Sequence, residues 1–104
     1  MLHLVISTSK ENEDEPKVVE ARLRQKNWIE KMQKERKIKG FYHRKDASGR
    51  VAIFRTDFPG DLENFLEKWR SYVDEDFAIY PLKDPKKAEM DMAKKLFGWN
   101  PIYR

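Results

Sequence analysis

Along the start of the chain Leu2, Leu4 and Ile6 alternate with His3, Val5 and Ser7, the period of two that marks a β-strand. A polar, turn-rich segment from Ser7 to Glu15 follows. Pro16 then suits the first turn of a helix, where its missing N–H is not needed. From there to about Lys37 the chain is rich in helix formers, and Val18, Ala21, Gln25, Trp28, Ile29 and Met32 recur at helical spacing as one stripe. Gly40 breaks that pattern. Phe41–His43 and Val51–Phe54 predict two extended runs, and the turn composition of Asp46–Gly49 between them predicts a hairpin. Pro59, Gly60 and Asp61 introduce a second helix with the stripe Leu62, Phe65, Leu66 and Trp69; Asp61 and Glu63 sit against its positive N-terminal end. Phe77–Tyr80 predicts a fourth strand. Asp84 as cap and Pro85 as first position open a third helix with the stripe Ala88, Met92, Ala93, Leu96 and Phe97, and Gly98 fits the residue after it. The stripes of the second and third helices are expected to be core.

The order β-α-β-β-α-β-α predicts an α+β fold. Its first six elements form the ferredoxin-like split βαβ plan, with an extra C-terminal helix. Residues 1–84 form the expected domain. Residues 85–104, the third helix and the apolar tail Trp99–Tyr103, are expected to pack on it or on a neighbouring subunit.

In this plan the helices cover one sheet face, and the other must be polar or buried by something else. A four-residue turn at Asp46–Gly49 sets Phe41 opposite Phe54 and Tyr42 opposite Ile53. The aliphatic set Leu2, Leu4, Ile6, Val51 and Ile53 is then expected under the helices. The second face collects His3, Val5, Ser7, Phe41, His43, Phe54, Thr56, Ala78 and Tyr80. Exposed, its aromatics would form a patch that monomers usually avoid. A sheet-to-sheet homodimer, or a higher oligomer built from such dimers, is expected to bury that face around a small, partly polar chamber.

Composition narrows the chemistry. The 104 residues suit one domain, and at 39% apolar and 38% charged the core must be small and the surface heavily ionic. Without cysteine, disulfides and thiolate chemistry are excluded. The apolar start Met1–Ile6 is too short for a secretory signal, and no stretch reaches the roughly 20 apolar residues of a membrane span, so a cytoplasmic protein is expected. The net charge of +4 comes from 22 bases interleaved with 18 acids, which solvates a surface without requiring a nucleic-acid partner.

His3 and His43 are the two histidines, and each can move a proton near neutral pH without a cofactor. They are the candidate catalytic groups. Two histidines without nearby carboxylates make no metal site. Arg22, Gln25 and Trp28 recur every three residues on the first helix. A substrate carboxylate could pair with Arg22 and accept from Gln25, with Trp28 as a wall. The structural alternative puts Trp28 in the core and Gln25 on the sheet backbone. Tyr42 and Tyr80 could donate phenolic protons, Arg44 and Arg55 could neutralise an acid, and Phe54 completes the substrate-contacting set.

Taken together, Met1-Leu-His-Leu-Val-Ile, a helix after a polar gap, Phe41-Tyr-His-Arg, Val51-Ala-Ile-Phe, Phe58-Pro-Gly-Asp-Leu and a closing strand ending near Leu82 resemble the muconolactone isomerase family. They resemble more broadly the cofactor-free dimeric α+β barrel proteins around it, over about residues 1–84. The resemblance implies a pocket between the sheet and its helices and oligomers built from barrel dimers. It also implies an isomerase-like proton transfer on a small lactone or organic acid, with no metal or other cofactor. A non-catalytic protein of the same fold, binding a small anionic organic ligand or serving assembly, stays open beside it. RNA-recognition domains share the element order, but here Arg50-Val-Ala-Ile-Phe-Arg lacks their aromatic signature and the first strand has no aromatic.

Overall fold

A computed structural model of the chain describes residues 1–97; the tail Trp99–Tyr103 and the residue Gly98 after the third helix lie outside the described residues. Seven elements follow one another: β1 (Leu2–Ser9), α1 (Pro16–Lys34), β2 (Ile38–His43), β3 (Arg50–Arg55), α2 (Asp61–Arg70), β4 (Glu75–Leu82) and α3 (Pro85–Phe97). The four strands form one antiparallel sheet in the order β2-β3-β1-β4, an α+β fold of roughly ferredoxin-like plan.

The local signals act as their chemistry requires. Pro16 opens α1, and Asp84 caps α3 by accepting the Lys86 N–H at 2.9 Å. Asp61 instead accepts from the N–H groups of Asp57 and Phe58, at 3.1 and 2.9 Å, and so fixes the turn that leads into α2. α1 ends on a Schellman pair, Lys37 N–H to Met32 C=O and Arg36 N–H to Gln33 C=O, with Arg36 in the left-handed region at φ 60°.

The hairpin loop is six residues long, not four, so the register shifts by two and Phe41 faces Ala52 while Tyr42 faces Val51. Arg44 explains the extra length. Its guanidinium leaves the ladder to hold Asp46, Thr8 Oγ1 and the Ser7 carbonyl, while its N–H reaches Gly49 C=O. A shift of two preserves the side of every residue. Leu4 does lie beside Ile53, and Val5 beside Ala52.

The helices cover the face opposite to the one expected. Val5, Ala52 and Phe54 are buried with Ile29 and Met32 of α1 and Leu66 and Trp69 of α2, and Phe41, Phe65 and Phe77 pack against them. Trp69 is the hub, its ring 5.0 Å from Phe77, 5.8 Å from Phe41 and 6.1 Å from Phe54. Leu2, Leu4, Ile6, Val51 and Ile53 line the uncovered face. Ala78 and Tyr80 belong with them, since Tyr80 pairs with Leu4 and Ala78 with Ile6. The physical reason is that both faces are apolar. The crossovers fix where the helices lie, and strand phase, which hydrophobicity does not reveal, decides which residues meet them.

A second correction concerns α3. Met92 and Leu96 of its stripe are not core: both are exposed, Leu96 at 76%, while Ala88 and Ala93 are half-buried. An ion pair from Lys83, in the link after β4, reaches Asp91 in the middle of the helix. No helix among the described residues is long and apolar enough to cross a membrane.

Candidate functional site

Five segments meet at one end of the sheet: the close of β1, the loop before α1, the first half of α1, the close of β2 with the start of β3, and the start of β4. Each brings at least one polar group. Ser7 and Glu75 are diagonal neighbours on β1 and β4, Ser7 pairing with Phe77 and Glu75 with Ser9, and the Ser7 hydroxyl donates to Glu75 Oε1 at 2.9 Å. Trp69 donates its indole N–H to Glu75 Oε2, and Arg22 Nη1 donates to the same oxygen at 3.0 Å. A carboxylate with no exposed side-chain surface thus has three donors, the condition for burying a charge.

Arg22 is the centre of the cluster. Its Nε and Nη2 grip both oxygens of Glu13 at 3.2 and 2.9 Å, and Nη1 also donates to Gln25 Oε1 at 2.9 Å. Arg50 Nη1 adds a second cation to Glu13 Oε1 at 3.0 Å, and donates to Gly49 C=O. Its Nε and Nη2 donate to nothing among the described residues. Burial works to raise the Glu13 pKa, but the bonds and charges of Arg22 and Arg50 outweigh it and hold the carboxyl below its ordinary range. Burial likewise opposes the charge on Arg22, and Glu75 and Glu13 reverse that, raising its pKa.

The backbone is shaped to bring these groups together. Gly49 passes so close to β1 that a Cβ there would lie 2.0 Å from the Ser7 carbonyl oxygen. This approach lets Ser7 Oγ accept from the Arg50 N–H at 2.8 Å while its single proton goes to Glu75 Oε1, the shorter of its two possible acceptors.

Beside the cluster, between α1 and the edge strand β2, runs a cleft of about 560 Å³. Ile29 and Phe41 give it an apolar wall; Glu13, Arg22, Gln25, His43 and Arg50 give it a polar end. Gln25 is 1% exposed, and with its oxygen turned to Arg22 its Nε2 is buried without an acceptor among the described residues. Such a donor costs about 1–3 kcal/mol, so this position calls for a partner. His43 packs edge-on against Phe41, ring centroids 6.2 Å apart. Partial burial first, then the charges of Arg50 and Arg22, lower its pKa, while Glu13 opposes them; the site favours the neutral imidazole.

Of the candidate residues, the structure brings Arg22, Gln25 and His43 together at this cleft. The others go elsewhere. His3 Nε2 meets Thr56 Oγ1 at 3.0 Å near the other end of β1. Trp28 lies against Tyr72, ring centroids 6.1 Å apart, and Phe54 is fully buried against Phe65. Tyr42 and Tyr80 stand on the uncovered face, 64% and 51% exposed, with the Tyr42 ring over Gly40. Arg55 reaches Asp57 at 3.7 Å and lines a separate hollow of about 760 Å³ with Lys39, Leu82 and Lys87.

Glu13, Arg50, Ser7 and Glu75 escaped the sequence analysis. For Glu75 a signal existed: it precedes Phe77 by two on one strand, so a carboxylate had to share the buried side of Phe77. For Glu13, in a loop, none did. Among the described residues no group of His, Cys, Asp and Glu is placed to hold a metal ion. No curated protein matches the chain. Residues 1–96 match the family described as Domain of unknown function (DUF3303), and the chain belongs to that family.

Proposed function

We propose that this chain is a cofactor-free α+β protein of the muconolactone isomerase-like kind, which takes a small organic acid or lactone into the cleft between α1 and β2 and shifts a proton on it. The observation that carries this is Gln25 Nε2, a buried donor without an acceptor among the described residues, beside Arg22, Arg50 and the His43 imidazole. A carbonyl or carboxylate oxygen of a ligand would satisfy it, and Ile29 and Phe41 would cover the carbon skeleton. His43 would take a proton from the carbon next to the carbonyl. The unengaged N–H groups of Arg50 would steady the charge that develops on oxygen. Returning the proton at another carbon moves a double bond, so atoms and electrons balance without any redox partner.

The test is exchange of carbon-bound hydrogen in D₂O, followed by NMR over a panel of butenolides and unsaturated carboxylic acids. Exchange in the native protein that falls by about 10²–10⁴ in His43→Ala, with binding retained, supports the proton transfer. Binding without exchange makes the protein a small-ligand binder of the same fold. Absence of binding across the panel overturns both.

A homodimer belongs to the same proposal, through a different set of residues from those first expected. The uncovered face carries Leu2, Leu4, Ile6, Val51, Ile53, Ala78, Tyr80 and Leu82 on three strands and Tyr42 on the fourth, with the charges of Arg55 and Asp76 at its two ends. A nucleic acid would need cations there. A second copy offers the same apolar surface in return, and a two-fold contact makes both self-complementary.

A further inference from the structure

The polar end of the cleft is electrically full. Arg22 and Arg50 face two carboxylates, Glu75 sealed beneath and Glu13 above, so the cluster has no net charge to offer an anion. Yet Glu13 is bound as a ligand carboxylate would be: both oxygens on Nε and Nη2 of Arg22, and one shared with Arg50 Nη1. Glu75 has no exposed side-chain surface and cannot leave. Glu13 can. Its side chain is 24% exposed, and Glu11, Asn12, Asp14 and Glu15 around it are all exposed.

The loop itself is tied down by little else. Glu11 bonds to Ser9, Asp14 N–H to Asn12 Oδ1 and Glu15 N–H to Asn12 C=O, all within the segment. Among the described residues, the Glu13 carboxylate makes the only hydrogen bonds from residues 11–14 to α1 or the sheet beyond their own neighbourhood.

We propose that Glu13 is a resident carboxylate that occupies the arginine pair until a ligand carboxylate takes its place, with residues 11–14 as the strap that opens when it does. This rests on the cleft being the ligand site. Its consequence for specificity is direct. A singly charged carboxylate replaces Glu13 without changing the charge of the cluster. A neutral amide of the same shape brings no charge to trade and leaves the strap shut. The apparent affinity is then reduced by the fraction of molecules in which the strap is open, a cost that removal of the Glu13 charge lifts.

The experiment compares benzoate with benzamide on the native protein and on Glu13→Gln, reading affinity by calorimetry and the amides of residues 11–14 by hydrogen exchange. Expected are benzoate binding about tenfold tighter in Glu13→Gln than in the native protein, and faster exchange of residues 11–14 when benzoate binds the native chain, with no such change on benzamide. If benzoate binds the native protein but Glu13→Gln binds it no better, the strap is overturned and the cleft stands. Equal opening of the strap by benzamide also overturns it. If benzoate binds neither protein, while other acids of the panel fail too, the cleft falls and the strap with it. Should Glu13→Gln prove unfolded by circular dichroism, the exchange contrast on the native chain decides alone.

Discussion

Trp69 donates its indole N–H to the carboxylate of Glu75, six residues further on, and both are sealed from water. The bond joins the aromatic hub of the core to the polar cluster at the cleft, because the same oxygen accepts from Arg22. Packing and chemistry therefore share one atom.

Glu75→Ala should be among the most damaging single changes. It strands the Trp69 N–H and the Ser7 hydroxyl and removes the buried partner of Arg22. Breaking such a pair costs about 3–5 kcal/mol, a large part of the 5–15 kcal/mol typical of a domain. Glu75→Gln keeps an acceptor for Trp69 and should cost less. Urea unfolding of the three proteins measures the order.

Acid should weaken the protein through two groups. His43 has a folded pKa below its ordinary 6.5. Between those values the unfolded chain binds a proton that the folded one refuses, so stability falls as pH drops through that window and levels off below it. Glu13 has a folded pKa below its ordinary 4.5. Its contribution is complete above that value and is lost as pH falls through the folded one. Denaturation midpoints across pH should show both steps, His43→Gln lacking the first and Glu13→Gln the second.

Gly49→Ala tests the close approach of β3 to β1. With a Cβ 2.0 Å from the Ser7 carbonyl oxygen, backbone must move, at about 1–3 kcal/mol or more. The shift should also loosen the Ser7 hydroxyl from Glu75. A fall in the urea midpoint, with altered chemical shifts at Arg50 and Glu75, is the expected result; unchanged stability would show that the loop adapts freely.

Ile53→Glu tests the uncovered sheet face. The residue lies beside Leu4 on that face, away from the helix-covered core, so the change should leave the fold intact. Small-angle scattering should give a dimer for the native chain and a monomer for the variant. A native monomer would remove the dimer from the proposal.

Much of this architecture was legible in the residues themselves. Pro16 and Asp84–Pro85 marked helix starts, and the grouping of Leu4 with Ile53 and of Val5 with Ala52 followed from alternation alone. Which group faced the helices did not, since Leu2, Leu4 and Ile6 look as core-like as Val5, Ala52 and Phe54. Arg22, Gln25 and His43 could be singled out because polar groups stand out against apolar stripes. Their partners could not, because Glu13, Arg50 and Glu75 are distant in sequence and meet only through the fold. Ala78 and Tyr80 were misgrouped with His43 for the reason that phase along β4 is set by pairing with β1, which no local pattern states.

Every buried apolar side chain among the described residues lies between Val5 and Val73, while α3 begins at Pro85. The part of the chain that must fold as one cooperative piece therefore closes with β4. Substitutions at the exposed Met92 and Leu96 of α3 are free of the volume constraints that bind Phe54 or Trp69, and these positions can change without the domain having to repack.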